Sequence, residues 1–376
     1  MRIIIACGGT GGHLFPGLAV AEVLVARCHE VWLLVSEKAV DQTALRSLTV
    51  RAGSALSVRS LPAIGYTGAR EMWKFGAKLA KATRTCATLC REFAPDVVLG
   101  MGGFTSAPAV IAARWKGAPS LIHESNAIPG KANRCAAFLA GHIAVGLADC
   151  ARFFGRKPVT VTGTPVRAAL RNGKIADARE QLGLDRNRLT VLIVGGSQGA
   201  HAINEAVACA LPWLDGWTDR AQFIHLSGKH DESFVREAYQ ANGCVANVME
   251  FCDRMELAYS AADVVVSRAG ASTLTEIAAF GLPAILIPYP FAAADHQAHN
   301  ARVFERAGAA RMIRQSQLGG HHAEKGERLG EAIAALLGDN AERRRMSDAA
   351  RSLAILDADK RIADLIEQHA HQTTAH

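Results

Sequence analysis

The residues best suited to chemistry lie in three glycine turns: Gly8-Gly9-Thr10-Gly11-Gly12-His13, Gly100-Met101-Gly102-Gly103-Phe104-Thr105-Ser106 and Gly195-Gly196-Ser197-Gln198-Gly199-Ala200. Each follows a short apolar run and precedes a helix-prone stretch. A turn without bulky side chains in that place lets backbone amides and a helix amino terminus come close to a phosphate. Packing of strand on helix would account for one such turn, whereas three in equivalent places point to a ligand. The first ends in His13, whose imidazole near a helix amino terminus is favoured in its neutral, basic form and can take a proton from a hydroxyl. Capping of backbone is its plainer alternative. Asn126 offers a donor and an acceptor to a polar ligand, or else an Asx turn ahead of Pro129-Gly130. Thr273-Leu274-Thr275-Glu276 has the spacing of a capping box, with Glu276 tying off a helix start, yet a carboxylate just past a strand can equally hold a ligand.

Two familiar nucleotide motifs fit poorly. In Gly9-Thr10-Gly11-Gly12-His13-Leu14 the third glycine of a dinucleotide fingerprint is replaced by Leu14, although Glu37 stands where a ribose-binding acid would. None of the turns ends in the Gly-Lys-Ser/Thr of a Walker loop.

The turns are positioned by apolar, β-branched runs at residues 3–6, 31–35, 97–99, 120–122, 191–194, 223–226, 264–266 and 284–287, alternating with helical stretches. Continuous apolar strands separated by helices imply parallel sheets covered on both faces. The series restarts at residue 191, so two doubly wound domains are expected, each opening on strand, glycine turn and helix. Thr162-Gly163-Thr164-Pro165-Val166-Arg167 reads as a hinge, because Pro165 blocks a helix and Gly163 permits a turn. The expected division is residues 1–164, residues 165–345 and a helical tail over 346–376 that packs back on the first domain.

At 376 residues, half apolar and a fifth charged, the chain is an ordinary folded protein of two domains. Its net charge of +7 favours an anionic partner such as a nucleotide, a phosphate or a membrane surface. The nine cysteines form no zinc-like array and read as reduced thiols of a cytosolic protein. No apolar run approaches the roughly 18 residues of a spanning helix, and the amino-terminal apolar run is too short for a signal peptide. Arg70, Lys74, Lys78, Lys81 and Arg84 recur at helical spacing beside Met72, Trp73, Phe75 and Leu79. That pattern suits docking on anionic lipid, or an amphipathic helix packed on its own domain.

Gly8-Gly9-Thr10-Gly11-Gly12-His13 with Phe15-Pro16-Gly17, Gly102-Gly103-Phe104, His123-Glu124-Ser125-Asn126, Gly163-Thr164-Pro165-Val166-Arg167, the turn at 195–200 and the segment 268–276 together resemble the MurG family. These motifs stand in the family's order and reach from residue 8 to about 310. The sequence departs from the family at Ser125, where Gln is usual, and at Phe104, where Tyr is common. The resemblance implies an α/β fold of GT-B type, with two Rossmann-like doubly wound domains facing a cleft. It implies transfer of N-acetylglucosamine from UDP to the C4 hydroxyl of undecaprenyl-diphosphate-linked N-acetylmuramyl-pentapeptide (lipid I), giving lipid II for peptidoglycan.

By the same resemblance His13 and Asn126 serve catalysis, while Thr10, Gly11, Gly12, Asn126, Arg167, Ser197, Ala271, Ser272, Thr273, Leu274, Thr275 and Glu276 bind the donor. Glu276 would grip the ribose, backbone around Cys252 the uracil, and Gln297 the N-acetylglucosamine, with Gly102, Gly103 and Phe104 at the acceptor diphosphate. No paired-Asp metal motif occurs, and helix amino termini with Arg167 would receive the leaving charge, so neither metal nor cofactor is expected. The expected setting is the cytoplasmic face of the inner membrane, with an anionic lipid surface and other cell-wall synthesis proteins as partners, and without nucleic acid. A UDP-N-acetylglucosamine 2-epimerase and a non-catalytic nucleotide-sugar-binding module stay open as rivals. Glycine turns in both halves weigh against the module, and the basic-aromatic stretch weighs against the epimerase.

Overall fold

A computed structural model describes residues 1–8, 11–36, 55–62, 72–103, 105–171, 173–196, 199–318 and 326–374. The chain forms two compact units, Met1–Arg167 with Ile355–His376, and Ala168–Ala354. The chain therefore leaves the first unit after Arg167 and returns to it at Ile355.

In the first unit seven parallel strands are ordered β3-β2-β1-β4-β5-β6-β7. They are β1 (Arg2–Ala6), β2 (Glu30–Ser36), β3 (Leu56–Leu61), β4 (Val97–Gly100), β5 (Ser120–Glu124), β6 (His142–Val145) and β7 (Val159–Val161). Alternate residues of β1 face opposite layers, as a pleated strand requires. Ile3 and Ile5 pack with Leu14, Leu18 and Leu24 of α1 (Gly11–Ala26), whereas Ile4 and Ala6 pack with Cys86, Cys90 and Phe93 of α2 (Met72–Phe93). The strand order reverses between β1 and β4, whose register pairs Ala6 with Gly100. Their carboxyl ends are thus level, and the first two glycine turns leave the sheet side by side at its switch point. The helix α3 (Ser106–Lys116) follows the second turn, and α4 (Lys131–Ala137) follows β5.

In the second unit six parallel strands are ordered β10-β9-β8-β11-β12-β13. They are β8 (Leu189–Val194), β9 (Ala221–Leu226), β10 (Ala246–Met249), β11 (Val264–Ser267), β12 (Ala284–Leu286) and β13 (Ala310–Met312). Here the switch point lies between β8 and β11, where Val194 pairs with Ser267. A short helix α5 (Ala178–Gln181) precedes the sheet, and α6 (His201–Ala210), α7 (Glu232–Ala241), α8 (Met255–Ala261), α9 (Ala271–Phe280) and α10 (His296–Arg306) join its strands. Two further helices, α11 (Glu327–Gly338) and α12 (Asn340–Ser352), complete this unit.

The returning helix α13 (Ala358–Thr374) buries Ile362, Ala363 and Ile366 in the same apolar layer as α1. Burial of each isoleucine stabilises the contact by about 1.5–3 kcal/mol. Polar ties flank it: Arg27 reaches Asp364 at 2.7 Å and Glu367 at 3.0 Å, and His29 Nε2 lies 2.8 Å from Glu367. No described helix is long and apolar enough to cross a membrane.

Candidate functional site

In the first unit the site is built on the turns that leave β1 and β4. His13 stands in the first turn of α1, half-buried, with its imidazole against the backbone of Gly102 and Gly103. Both glycines have left-handed φ, +103° and +74°. A Cβ on Gly102 would lie 3.0 Å from His13 Cε1, and one on Gly103 would lie 2.8 Å from the Gly8 carbonyl oxygen and 3.2 Å from His13 Cδ2. Any other residue in either place would move the ring or the loop, so these glycines form the surface that seats the imidazole. Ser106 fastens the same turn: its Oγ accepts from the Gly102 amide at 2.8 Å and shares its proton between the Gly102 carbonyl at 2.7 Å and the Ala6 carbonyl at 3.1 Å.

Asn126 is positioned by a residue for which the sequence reading found no role. The buried Glu124 carboxylate, at the end of β5, accepts through Oε1 from the Asn126 backbone and side-chain amides, both at 2.9 Å. Its Oε2 accepts from the Gly130 amide at 3.0 Å and from Asn133 at 2.9 Å. One carboxylate thus shapes the loop after β5 and aims the Asn126 side chain. His123 ties the loop to the hinge segment, with Nε2 2.9 Å from the Gly163 carbonyl oxygen. Burial pushes its pKa down, against the opposing pull of that carbonyl. Arg167, half-buried, lies over the Phe15 ring of α1 at 5.1 Å, close in the chain to the first glycine turn.

In the second unit the loop after β11 is held from three sides. The buried Arg268 guanidinium donates to the Ile287 carbonyl at 3.1 Å and the Pro288 carbonyl at 3.3 Å. Gln297 Oε1 accepts from the amides of Ala269 at 3.2 Å and Tyr289 at 3.0 Å. Asn300 donates to the Ala269 carbonyl at 3.1 Å. The amide oxygen of Gln297 is therefore spent on the loops after β11 and β12, and its nitrogen is the group it can offer a ligand.

The capping-box reading of Glu276 fails. Gly270 occupies the cap of α9, the helix begins at Ala271, and the Leu274 amide already bonds the Gly270 carbonyl at 2.9 Å. Thr273 is inside the helix, and Glu276 lies in its second turn. Its Oε2 accepts from the Tyr259 hydroxyl at 2.7 Å. Ala271, Ser272 and Thr273 carry the first-turn amides that no intrahelical carbonyl can reach, the usual anion-facing group of a helix start. Leu274 is buried beneath them, and Thr275 Oγ1 donates back to the Ala271 carbonyl at 2.9 Å. Cys252 is buried in the loop between β10 and α8, the helix that carries Tyr259.

The structure thus brings His13 together with Gly102 and Gly103, and Gln297 together with the loop that opens α9 and leads to Glu276. Thr10, Phe104 and Ser197 lie outside the described residues, as do Glu37 and Arg70. Sequence reasoning missed Glu124, Tyr259 and Asn300 because each acts on another residue rather than on a motif of its own. Glu124 alone had a visible signal, its place in the contiguous His123-Glu124-Ser125-Asn126 segment.

Two doubly wound units, each with glycine turns at its switch point, are the halves of a GT-B glycosyltransferase fold. Residues 3–145 match the glycosyltransferase family 28 N-terminal domain, and residues 190–368 match the family's C-terminal domain. The chain belongs to glycosyltransferase family 28, and within it to the group of the UDP-N-acetylglucosamine–N-acetylmuramyl-(pentapeptide) pyrophosphoryl-undecaprenol N-acetylglucosamine transferases. It is 40% identical over 367 residues to the transferase of that name from Geobacter sulfurreducens, with 97% of each chain covered. It is 38% identical over 360 residues to that from Geobacter sp. strain M21, covering 95% of this chain and 93% of the relative. The crystal structure of Acinetobacter baumannii MurG superposes with a TM-score of 0.78 at 29% identity, over 98% of this chain and 99% of that one. A UDP-N-acetylglucosamine 2-epimerase from Listeria monocytogenes shares the fold, with a TM-score of 0.72 at 14% identity over 99% of this chain and 97% of that one.

Proposed function

We propose that this protein transfers N-acetylglucosamine from UDP-N-acetylglucosamine to the muramyl C4 hydroxyl of lipid I, with the donor held mainly by the second unit and the acceptor by the first. The observation that carries this reading is the identity of 38–40% to transferases of that name over nearly the whole chain. The acceptor hydroxyl attacks the anomeric carbon, the bond from that carbon to the diphosphate oxygen breaks, and UDP leaves from the opposite face. One displacement inverts the centre and yields a β-1,4 linkage, through a transition state of oxocarbenium character. His13, seated on Gly102 and Gly103, receives the hydroxyl proton, and Asn126, aimed by Glu124, contacts substrate. Gly102, Gly103 and Phe104 meet the acceptor diphosphate. Thr10, Gly11, Gly12, Ser197 and Arg167 contact the diphosphate or sugar, Glu276 the ribose, backbone at Cys252 the uracil and Gln297 the acetamido sugar. Charge on the departing UDP is met by helix amino termini rather than by a metal ion.

A lipid acceptor requires the enzyme to work at a membrane surface, on its cytoplasmic face. The helix α2 supports that: Trp73 is 71% exposed, and Lys78, Lys81 and Arg84 are exposed along it. Incubation with UDP-N-acetylglucosamine and a short-chain lipid I analogue, with and without EDTA, tests the whole reading. UDP release should require the acceptor and be indifferent to EDTA. Formation of the 2-epimeric UDP-sugar without acceptor would instead establish an epimerase.

A further inference from the structure

Behind the glycine turn at 195–200 lies a fully buried chain of polar side chains that the transfer chemistry leaves unused. Asn204, in the first turn of α6, donates through Nδ2 to the Ser227 carbonyl at 2.8 Å and to Asp231 Oδ2 at 2.7 Å. Both partners only accept, so the amide nitrogen must face them and the amide oxygen must face the other way, toward His225 Nε2 at 3.0 Å. An oxygen there can only accept, which puts the imidazole proton on Nε2. His225 Nδ1 is then bare and accepts from the Tyr239 hydroxyl at 3.1 Å. Every polar atom along this path has one consistent role, and the side chains of Asn204, His225 and Tyr239 are all within 2% of complete burial.

The path ends on the glycine turn. Gly199 has φ +74°, and a Cβ there would stand 2.3 Å from the Ser227 carbonyl oxygen, the same oxygen that Asn204 holds. The Ser227 carbonyl is thus the floor against which Gly199 is seated, and Asn204 fixes that floor. Asp231 is fastened on its outer side by His201, the first residue of α6, with His201 Nδ1 at 3.0 Å. Burial pushes His225 down to about 3, so the ring stays neutral through the working pH range, and burial keeps the Tyr239 phenol protonated as a donor.

We propose that Tyr239, His225 and Asn204 are positioning residues for the donor diphosphate, a one-way hydrogen-bond chain that holds the Ser227 carbonyl, and through it Gly199 and the start of α6, in place to receive phosphate. This rests on the donor reading given above. The chain acts through geometry: with His225 unable to donate, the Asn204 amide can rotate and the floor of the turn loosens.

Two variants and one spectrum test it. His225→Leu removes the Nε2 donor, while His225→Gln keeps an N–H within reach of Asn204. Calorimetric titration with UDP should show about tenfold weaker binding for His225→Leu, the loss of one hydrogen bond's net value, and binding within about threefold of wild type for His225→Gln. The KM for the acceptor should be unchanged in both. Equal UDP affinity in wild type and folded His225→Leu, or equal losses in both variants, would overturn the proposal. Nitrogen NMR of histidine-labelled wild type requires no variant to fold: His225 should show a protonated Nε2 and a bare Nδ1 from about pH 5 to 8. A proton on Nδ1 would overturn the chain's direction. Wild type that fails to bind UDP at all would sink the donor reading instead, and the NMR result would still decide the tautomer.

Discussion

His13 is held by what its neighbours lack, since the absence of side chains at Gly102 and Gly103 is what admits the ring. Replacing it with Ala should lower turnover by about 10²- to 10⁴-fold, the range for a positioned acid-base group, and leave UDP affinity in calorimetry unchanged. Wild-type turnover would remove His13 from the mechanism. Glu276 now has a sharper test than its sequence allowed. Because it does not cap α9, Glu276→Gln should leave the melting temperature near wild type while weakening UDP binding about 10- to 100-fold. Tyr259→Phe should weaken it by a smaller factor, because it removes only the hydroxyl that orients the carboxylate. If UDP binds both variants normally, the ribose role is wrong. The motif residues were legible in the sequence because glycine turns and the His-Glu-Ser-Asn segment are contiguous. Tyr259 as an orienting hydroxyl was not, because a hydrogen bond between residues 17 apart leaves no spacing rule behind, and Glu124 as a brace was not, because only the folded loop gathers Asn126, Gly130 and Asn133 around its carboxylate.

At the scale of elements, the strands nearest each switch point were legible as unbroken apolar runs, since both of their faces are covered. The outer strands were not: β3 alternates buried and exposed residues without a clean period, and β7 has no buried residue in its three. Strands of that kind take their structure from the neighbour they pair with, not from their own composition. The helix α2 was legible as a basic-aromatic stretch. Replacing Lys78, Lys81 and Arg84 by Glu should reduce cosedimentation with anionic vesicles, and added salt should weaken the wild type likewise. Activity on a water-soluble acceptor should survive, and vesicle binding that ignores both changes would make this an ordinary surface.

The contact of α13 with the first unit should be sensitive to acid. Burial pushes His369 down, and burial with the neighbouring His369 does the same to His142, whose ring lies 4.8 Å away. Burial raises Glu367, but hydrogen bonds from His29 and Arg27 outweigh it and hold the carboxyl below its ordinary 4.5. All three groups bind protons more readily in the unfolded chain, so their contribution is present at neutral pH and lost on acidification. The loss begins below the ordinary histidine value of 6.5 and continues below 4.5. Thermal melts should therefore fall steadily from pH 7.5 to 4, with a shallower slope in His369→Phe. Parallel slopes in the two proteins would exclude the histidine pair.

For the whole molecule, the restart of the strand series at Val191 was enough to read two Rossmann-like units, because each opens on strand, glycine turn and helix. Against the tail expected over 346–376, the compact units differ in where the chain crosses: α12 stays with the second unit, and only the chain from Ile355 onward belongs with the first. The crossing point was not legible because α12 and α13 are both helix-prone and polar on one side, so nothing in their composition separates the helix that stays from the helix that returns. That return has a consequence in time. A chain made from its amino terminus completes its second unit while the first still lacks α13, and the layer of α1 that meets Ile362 and Ile366 stays uncovered during that interval. Ribosome-bound chains stalled just after Ala354 has emerged should accordingly show a protease-resistant second unit and a cleavable first one. Equal resistance of both would mean that the first unit folds without its final helix. In a growing cell the first unit, begun earlier, would thus be finished after the second.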